Sequence, residues 1–317
     1  MVCINKKKNF QKQNADLKSH VELFITRLFV KGRWNNKKYH NYLFPLKSNR
    51  SIIIRITSMT KIIHQDTPIP IRFVCIIPAR FNSTRFPGKP LVDIGGKTMI
   101  QRVYEQVLKV LPDVYVATDD KRIFDAVIGF GGKAIMTSDL HKSGTDRCYE
   151  AFTKLDEWFD VIINVQGDEP FIQPEQINEI LKCFDEPETQ IATLAKKITI
   201  KDDFESLSNP NNPKLVINSH NEAMYFSRSV IPFVRGAETE KWISKHSYLK
   251  HVGIYAYKAD ILRELTLLEQ SPLEVAESLE QLRWLENGYR IKVGFTDVET
   301  FGIDTPDDLE KVKDLIS

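Results

Sequence analysis

Arg80, Arg85 and Lys89 lie close together in the stretch PARFNSTRFPGKPL (78–91), which also supplies Ser83, Thr84 and Gly88. Guanidinium forks and an ammonium beside exposed backbone N–H groups suit a triphosphate. A glycine lets the backbone approach phosphate oxygens closely. The residues alone also fit a solvated basic turn, because the stretch matches neither GxxxxGK[ST] nor GxGxxG. A second stretch, NVQGDEP (164–170), opens an apolar run onto Asp168. Mg²⁺ takes oxygen ligands, usually one or two carboxylates plus substrate phosphates, and Asp168 is suited to that. The same residues could instead be a turn capping the helix that begins near Pro174. In a third stretch, GIDTPDDLEKV from 302, Asp304 follows a strand-like run and precedes Thr305 and Pro306. Read alone, Thr305-Pro306-Asp307-Asp308 is a helix N-terminus.

Strands must carry these loops. FVCII (73–77) is a short apolar run rich in β-formers, ending at Pro78. TMIQRVYEQVLKV (98–110) repeats apolar residues every four positions, which makes one helical face. Strands are expected at 114–118, 133–137 and 160–166, with helices at 121–130, 146–155 and 174–184. Pro174 stands in the first turn of the last helix. Strict alternation implies βαβ units, a mainly parallel sheet and helices on both faces. Ligands of such sheets sit beyond the carboxyl ends of strands, and the first and fourth strands end in the two loops above. From 191 the rhythm loosens. IATLAKKI, KLVIN, AMYFSR and VGIYAYK read as strands, and ADILRELTLL, SLEQLRWLEN and TPDDLEKVKDLI as helices, which implies antiparallel additions to the sheet.

The 317 residues suffice for one large domain or two modest ones. Residues 1–72 hold 15 Lys and Arg against 3 acids, net +12, whereas 73–317 hold 29 against 39, net −10. The two parts look like different polymers. The first lacks sustained periodicity. A presequence is disfavoured by Asp16, Glu22 and few serines, and a nucleic-acid-binding arm is a competing reading. The preferred expectation is a basic extension, disordered or arising from a start codon placed too early, with Met59 as one alternative start. A single α/β domain is expected over 73–317. The 4 cysteines form no CxxC pair, which fits a reduced, cytoplasmic setting. No run approaches the ~18 apolar residues of a membrane helix, so neither membrane nor nucleic acid is expected as a partner.

IIPARFNSTRFPGKPL, VATDD, GGKAIMT, HKSGTDR, NVQGDEP, AMYFSR, LKHVGIYAYK, AESLEQLRWLENG and GIDTPDDLEKV together resemble the CMP-Kdo synthetase (3-deoxy-manno-octulosonate cytidylyltransferase) family, from about residue 73 to 317. The resemblance implies a Rossmann-like nucleotide-diphospho-sugar transferase fold, an α/β homodimer, and transfer of CMP from CTP to an acidic eight-carbon sugar for lipopolysaccharide biosynthesis. It implies that Arg80 and Lys89 hold the CTP phosphates, with Ser83 and Arg85 nearby. It sets cytosine against Ala79 and the rest of the first loop, Gln166 and the turn containing Ser143 and Arg147. Asp168 and Asp304 would ligate Mg²⁺, with Asp168, Arg80 and Lys89 as catalytic residues. Arg228, His251, Tyr255, Glu280 and Gln281 would bind the sugar, although His251 could equally be a packed core histidine and Glu280 a surface acid. A CMP-sialate synthetase is the nearest rival, and Phe86-Pro87-Gly88-Lys89-Pro90 favours Kdo. A non-enzymatic nucleotide-binding regulator is expected to have lost one of Arg80, Lys89, Asp168 or Asp304, and all four are present.

Overall fold

The computed structural model describes residues 70–82, 86–199, 203–299, 302–303 and 305–311. The expectations for the extension at 1–69 and for Ser83, Arg85 and Asp304 lie outside the described residues. So does the end of the last expected helix beyond 311.

The first strand, β1 (Phe73–Ala79), is an apolar run with almost every side chain buried. Its alternate residues point to opposite faces. Val74 and Ile76 enter one core with Cys148, Ala151 and Phe152. Cys75 and Ile77 enter the other with Ile100, Val103, Val107, Ile177 and Ile180. A strand buried on both faces is the signature of a sheet covered by helices on each side.

The expected alternation follows. Helix α1 (Met99–Leu108) is N-capped by Thr98, whose side chain accepts from the Gln101 N–H. Then come β2 (Val114–Thr118), α2 (Lys121–Gly129), β3 (Ala134–Met136), α3 (Gly144–Thr153), β4 (Val161–Asn164) and α4 (Pro174–Lys182). Beyond these lie β5 (Ile191–Lys197), α5 (Phe204–Ser208), β6 (Lys214–Ile217), β7 (Ala223–Ser227), α6 (Trp242–Lys245) and β8 (Leu249–Lys258). The remaining elements are α7 (Ala259–Leu265), α8 (Pro272–Glu277), α9 (Gln281–Glu286), β9 (Ile291–Thr296) and α10 (Pro306–Lys311).

Among the described residues the sheet has nine strands along the path β3-β2-β1-β4-β8-β5-β9, with β6 pairing β7 and β8. Pairs β1/β2, β2/β3, β1/β4 and β5/β9 are parallel. β8 runs antiparallel between β4 and β5, and β6 pairs antiparallel with both β7 and β8. The expected mainly parallel sheet with antiparallel additions is therefore present. After β1 the chain steps outward to β2 and β3, then returns to the other side of β1 as β4. This reversal leaves a crevice beyond the carboxyl ends of β1 and β4, the general ligand site of open α/β sheets.

The structure departs from the sequence expectations toward the C-terminus. The helix expected over 278–287 is shorter, present as α9 from Gln281 to Glu286, and α8 ahead of it was not expected. Ser271 and Glu274 form a capping box that starts α8, and Ser278 adopts φ 52°, which ends it. α9 then starts afresh, tied to α8 by the Arg283–Glu274 ion pair at 2.5 Å. The 252–258 strand extends back to Leu249, because β8 finds partners on three strands.

Candidate active site

Three loops meet at the end of β1. Asn164 of β4 is in register with Ile76, so the loops after the two strands leave side by side. A Cβ added to Gly167 would stand 2.9 Å from the Pro78 carbonyl oxygen. One added to Gly144, at the start of α3, would stand 3.3 Å from Pro78 Cγ. Glycine at both positions lets the 164–170 loop and the α3 N-terminus close on the first loop. Gly167→Ala should push Asp168 out of place. Because a displacement of about 1 Å can cost about 10²-fold in rate, turnover is expected to fall by about that factor while far-UV circular dichroism stays unchanged. Full activity in that variant would show that the close approach does not matter.

Lys89 and Asp168 meet in the crevice, with Lys89 Nζ 2.7 Å from Asp168 Oδ2. Their side chains are 13% and 34% exposed, so the pair is sheltered yet reachable. Gly88 holds φ 71°, a left-handed conformation that suits glycine, and its N–H donates to the Phe81 carbonyl at 2.9 Å. That bond closes the first loop and aims Lys89 inward. Arg80, at the exposed rim, donates from Nη2 to the Lys142 carbonyl at 2.8 Å. Lys142 precedes Ser143, which N-caps α3 by accepting from the Asp146 N–H.

Glu150 fixes the segment before that cap. It accepts from the Ser138 N–H at 2.9 Å, pairs with Lys154 at 2.7 Å and contacts His141 Nε2. Burial works to raise its pKa, but the bonds from Lys154, Ser138 and His141 together bring it down to about 2.

Gln166 donates from Nε2 to Asn164 Oδ1 at 3.1 Å, on the same loop as Asp168. Ala79 is 3% exposed at the end of β1. Arg147 is fully buried, donating to Thr137 Oγ1 at 2.6 Å and Asp119 Oδ2 at 3.2 Å. It braces the ends of β2 and β3 from behind α3, so its guanidinium is not among the charges at the crevice surface.

Thr145 links this half of the site to the candidate sugar residues. Its hydroxyl donates to Glu280 Oε2 at 2.9 Å. Burial holds the Glu280 carboxyl above its ordinary range, so this residue is no surface acid. Gln281 is 5% exposed, and its Nε2 has no hydrogen-bond partner among the described residues. Tyr255 is 8% exposed, with burial first and the Glu280 charge second raising its pKa.

The His251 ring lies edge-on to Phe226 at 5.1 Å and tilted to Tyr255 at 5.3 Å. Burial lowers its pKa to about 4, so it is neutral at pH 7. Thr193 Oγ1 donates to the Ile254 carbonyl at 2.8 Å. It therefore accepts from His251 Nε2–H at 3.0 Å, which leaves Nδ1 as the acceptor. Arg228 is heavily committed: Nε donates to the Glu277 carbonyl, Nη1 to that of Pro210 and Nη2 to that of Ser278. These bonds fix the turn that presents Glu280.

Sequence reasoning overlooked Tyr257 and Trp284 beside these groups. Tyr257 alternates with Tyr255 along β8, and Trp284 follows Glu280 by one helical turn, so periodicity could have found both. The Trp284 ring stands edge-on to Tyr255 at 5.1 Å and to Tyr257 at 5.5 Å. Its Nε1 has no hydrogen-bond partner among the described residues. Buried donors of this kind normally find partners, so a polar ligand or water is expected here.

A family model described as cytidylyltransferase matches residues 74–291. The 3-deoxy-manno-octulosonate cytidylyltransferase of Parabacteroides distasonis is 64% identical over 241 residues, covering 76% of this chain and 96% of that protein. The Bacteroides thetaiotaomicron protein of the same name is 61% identical over 245 residues, covering 77% and 98%. A solved CMP:2-keto-3-deoxy-manno-octonic acid synthetase complexed with CTP is 47% identical, with a TM-score of 0.70 over 77% of this chain and 98% of that one. The 4-diphosphocytidyl-2C-methyl-D-erythritol synthase of Anaerococcus prevotii is 13% identical, with a TM-score of 0.51 over 77% of this chain and 98% of its own. It shares the fold alone.

Proposed function

The chain belongs to the cytidylyltransferase family, and from that premise we propose that it transfers CMP from CTP to 3-deoxy-manno-octulosonate, releasing pyrophosphate. The observation that carries this reading is the Lys89–Asp168 pair, held at 2.7 Å in the β1/β4 crevice. An ammonium and a carboxylate there supply both groups a triphosphate reaction requires: a cation for phosphate oxygens and an oxygen ligand for a metal.

The sugar's anomeric hydroxyl attacks the α-phosphorus of CTP, and the bond to the β-phosphate oxygen breaks. No protein nucleophile is required, so the chain's task is positioning and charge neutralisation. Lys89 and Arg80 hold the triphosphate and offset charge developing on pyrophosphate. Ala79, Gln166 and the backbone around Ser143 bound the cytosine, with Arg147 bracing that turn. Ser83 and Arg85 are assigned to the phosphates by the family resemblance. Glu280, Gln281, Tyr255 and His251 face the acid sugar, while Arg228 fixes the turn carrying Glu280.

The donor set fits Mg²⁺. Asp168 offers oxygen ligation at a strand end, and no cluster of three or more His, Cys, Asp or Glu gathers among the described residues. One or two carboxylates with substrate phosphates are the usual ligands of that ion. Asp168 and Asp304 are the proposed ligands. The Ile303 N–H donates to the Asp168 carbonyl at 3.0 Å, which supports the choice of Asp304. When bound, the ion neutralises phosphate charge and activates the attacking hydroxyl.

We assign the protein to the cytoplasm as a homodimer. No helix among the described residues is long and apolar enough to cross a membrane. The family resemblance supports the homodimer.

Pyrophosphate release should require a 2-keto acid sugar and be at least about a hundredfold faster with CTP than with ATP or GTP, since a site that hydrogen-bonds one base leaves polar groups unpaired with another. The assay is purified protein with Mg²⁺, each triphosphate and a panel of acid sugars. Equal release from all triphosphates would remove the basis for the assignment.

A further inference from the structure

We propose that Arg122 is a positioning residue for the phosphate loop, acting through Phe81. Arg122 lies in the first turn of α2, outside the crevice. Its guanidinium carbon stands 3.2 Å from the centroid of the Phe81 ring. Asp120 holds that guanidinium in place, accepting from Nε at 2.9 Å and from Nη2 at 2.6 Å. Asp120 is itself fixed as the N-cap of α2 by the Arg122 backbone N–H at 2.9 Å. The stacking platform is thus built on a rigid helix end.

Phe81 in turn governs both ends of the loop. Its carbonyl accepts from the Gly88 N–H at 2.9 Å. Its ring also packs beneath Gly88, where an added Cβ would lie 3.2 Å from Phe81 Cζ. The ring lies against the Arg122 guanidinium over its face and against Gly88 at its outer atoms. Arg80 precedes Phe81 and Lys89 follows Gly88, so the two phosphate-directed cations leave the clasp from its two sides. Fixing the neck sets both at once.

The alternative role for Arg122 is to add positive charge near the triphosphate. The side chain is 60% exposed, and its charge is paired with Asp120 at 2.6 Å. Both facts weaken its field at the crevice. Planarity is what the contact uses, and lysine lacks it. Arg122→Lys therefore separates charge from stacking.

The kinetic part of the test rests on the proposed reaction; the structural part does not. Without substrate, hydrogen exchange at the Gly88 amide should quicken in Arg122→Ala and in Arg122→Lys. It should stay unchanged in Lys121→Ala, which removes a neighbouring charge paired with Asp125. With CTP, KM should rise about fivefold in both Arg122 variants while kcat stays within about twofold, the scale expected of one exposed cation–π contact. In a Phe81→Leu background, Arg122→Ala should add less than about twofold, because the two residues act as a unit. Wild-type behaviour of Arg122→Lys overturns the inference in favour of charge. Additive effects of Phe81→Leu and Arg122→Ala, or unchanged Gly88 exchange, overturn it outright. If the wild type releases no pyrophosphate, the proposed reaction fails and the exchange measurement alone decides the clasp.

Discussion

Asp168→Asn is expected to reduce pyrophosphate release by about 10³-fold or more while changing the dissociation constant for CTP by less than about tenfold. The asymmetry follows from the crevice. Asn keeps the size and one oxygen but loses the charge that suits Asp168 to the proposed role of ligand for a hard cation. Without that ligand, neither the attacking hydroxyl nor the departing pyrophosphate gains the stabilisation a bound metal gives. Ground-state binding has other support. Lys89 is released from its 2.7 Å pairing with Asp168, and Arg80 retains its place at the Lys142 carbonyl. Both cations remain for the phosphates. Calorimetric titration of CTP and Mg²⁺ into the variant, set beside kcat from pyrophosphate release, separates the two quantities. A loss of affinity as large as the loss of rate would make Asp168 a binding residue only. Normal turnover would return the 164–170 loop to a helix-capping turn.

Lys89→Ala should cost about a hundred- to a thousandfold in kcat/KM, equivalent to about 2.7–4 kcal/mol for one donor aimed at developing charge in a sheltered site. Arg80→Ala should lose activity in the same direction. Arg80 is exposed at the rim, whereas the Lys89 side chain is only 13% exposed, and charges closer to water are worth less. The larger effect is therefore expected at Lys89. Stability should hardly change, because Lys89 is not part of a packed core and its partner Asp168 can be solvated. Thermal melting of the variant within a few degrees of the wild type, together with steady-state kinetics, makes the comparison. Near wild-type turnover in both variants would mean that 78–91 is a basic turn with no role in phosphate chemistry.

Much of the catalytic half was legible because its signals are local. β1 is an unbroken apolar run, α1 repeats apolar residues every four positions, and Thr98 and Ser143 occupy N-caps where their hydroxyls satisfy free N–H groups. Alternation of strand and helix implies a parallel sheet, and a parallel sheet implies that function lies beyond its carboxyl ends. The basic loop and Asp168 therefore had only one region of the fold to occupy. Glycines 144 and 167 could be seen in the sequence, but their purpose could not, since it depends on how close Pro78 comes.

The half that carries the proposed sugar residues was less legible because its contacts join distant segments. The resemblance assigns Arg228 to the acid sugar, yet its guanidinium donors are engaged by carbonyls of Glu277, Pro210 and Ser278. Glu280 reads equally as a surface acid, but Thr145, 135 positions away, donates to it and burial holds its carboxyl above the ordinary range. The resemblance sets Arg147 in the turn against the cytosine, yet its buried guanidinium donates to Thr137 and Asp119. By itself the sequence determined which segments from 73 to 184 become strands and helices, which loops carry charge and, through long matching motifs, which family the chain resembles. Only the tertiary structure decided that β8 enters antiparallel between β4 and β5, that His251 is a neutral ring beside Thr193, and that Phe81 is clasped by Arg122. Periodicity and capping are written within a few residues of each other. Desolvation and long-range pairing depend on which distant segments come together, and no local pattern encodes that.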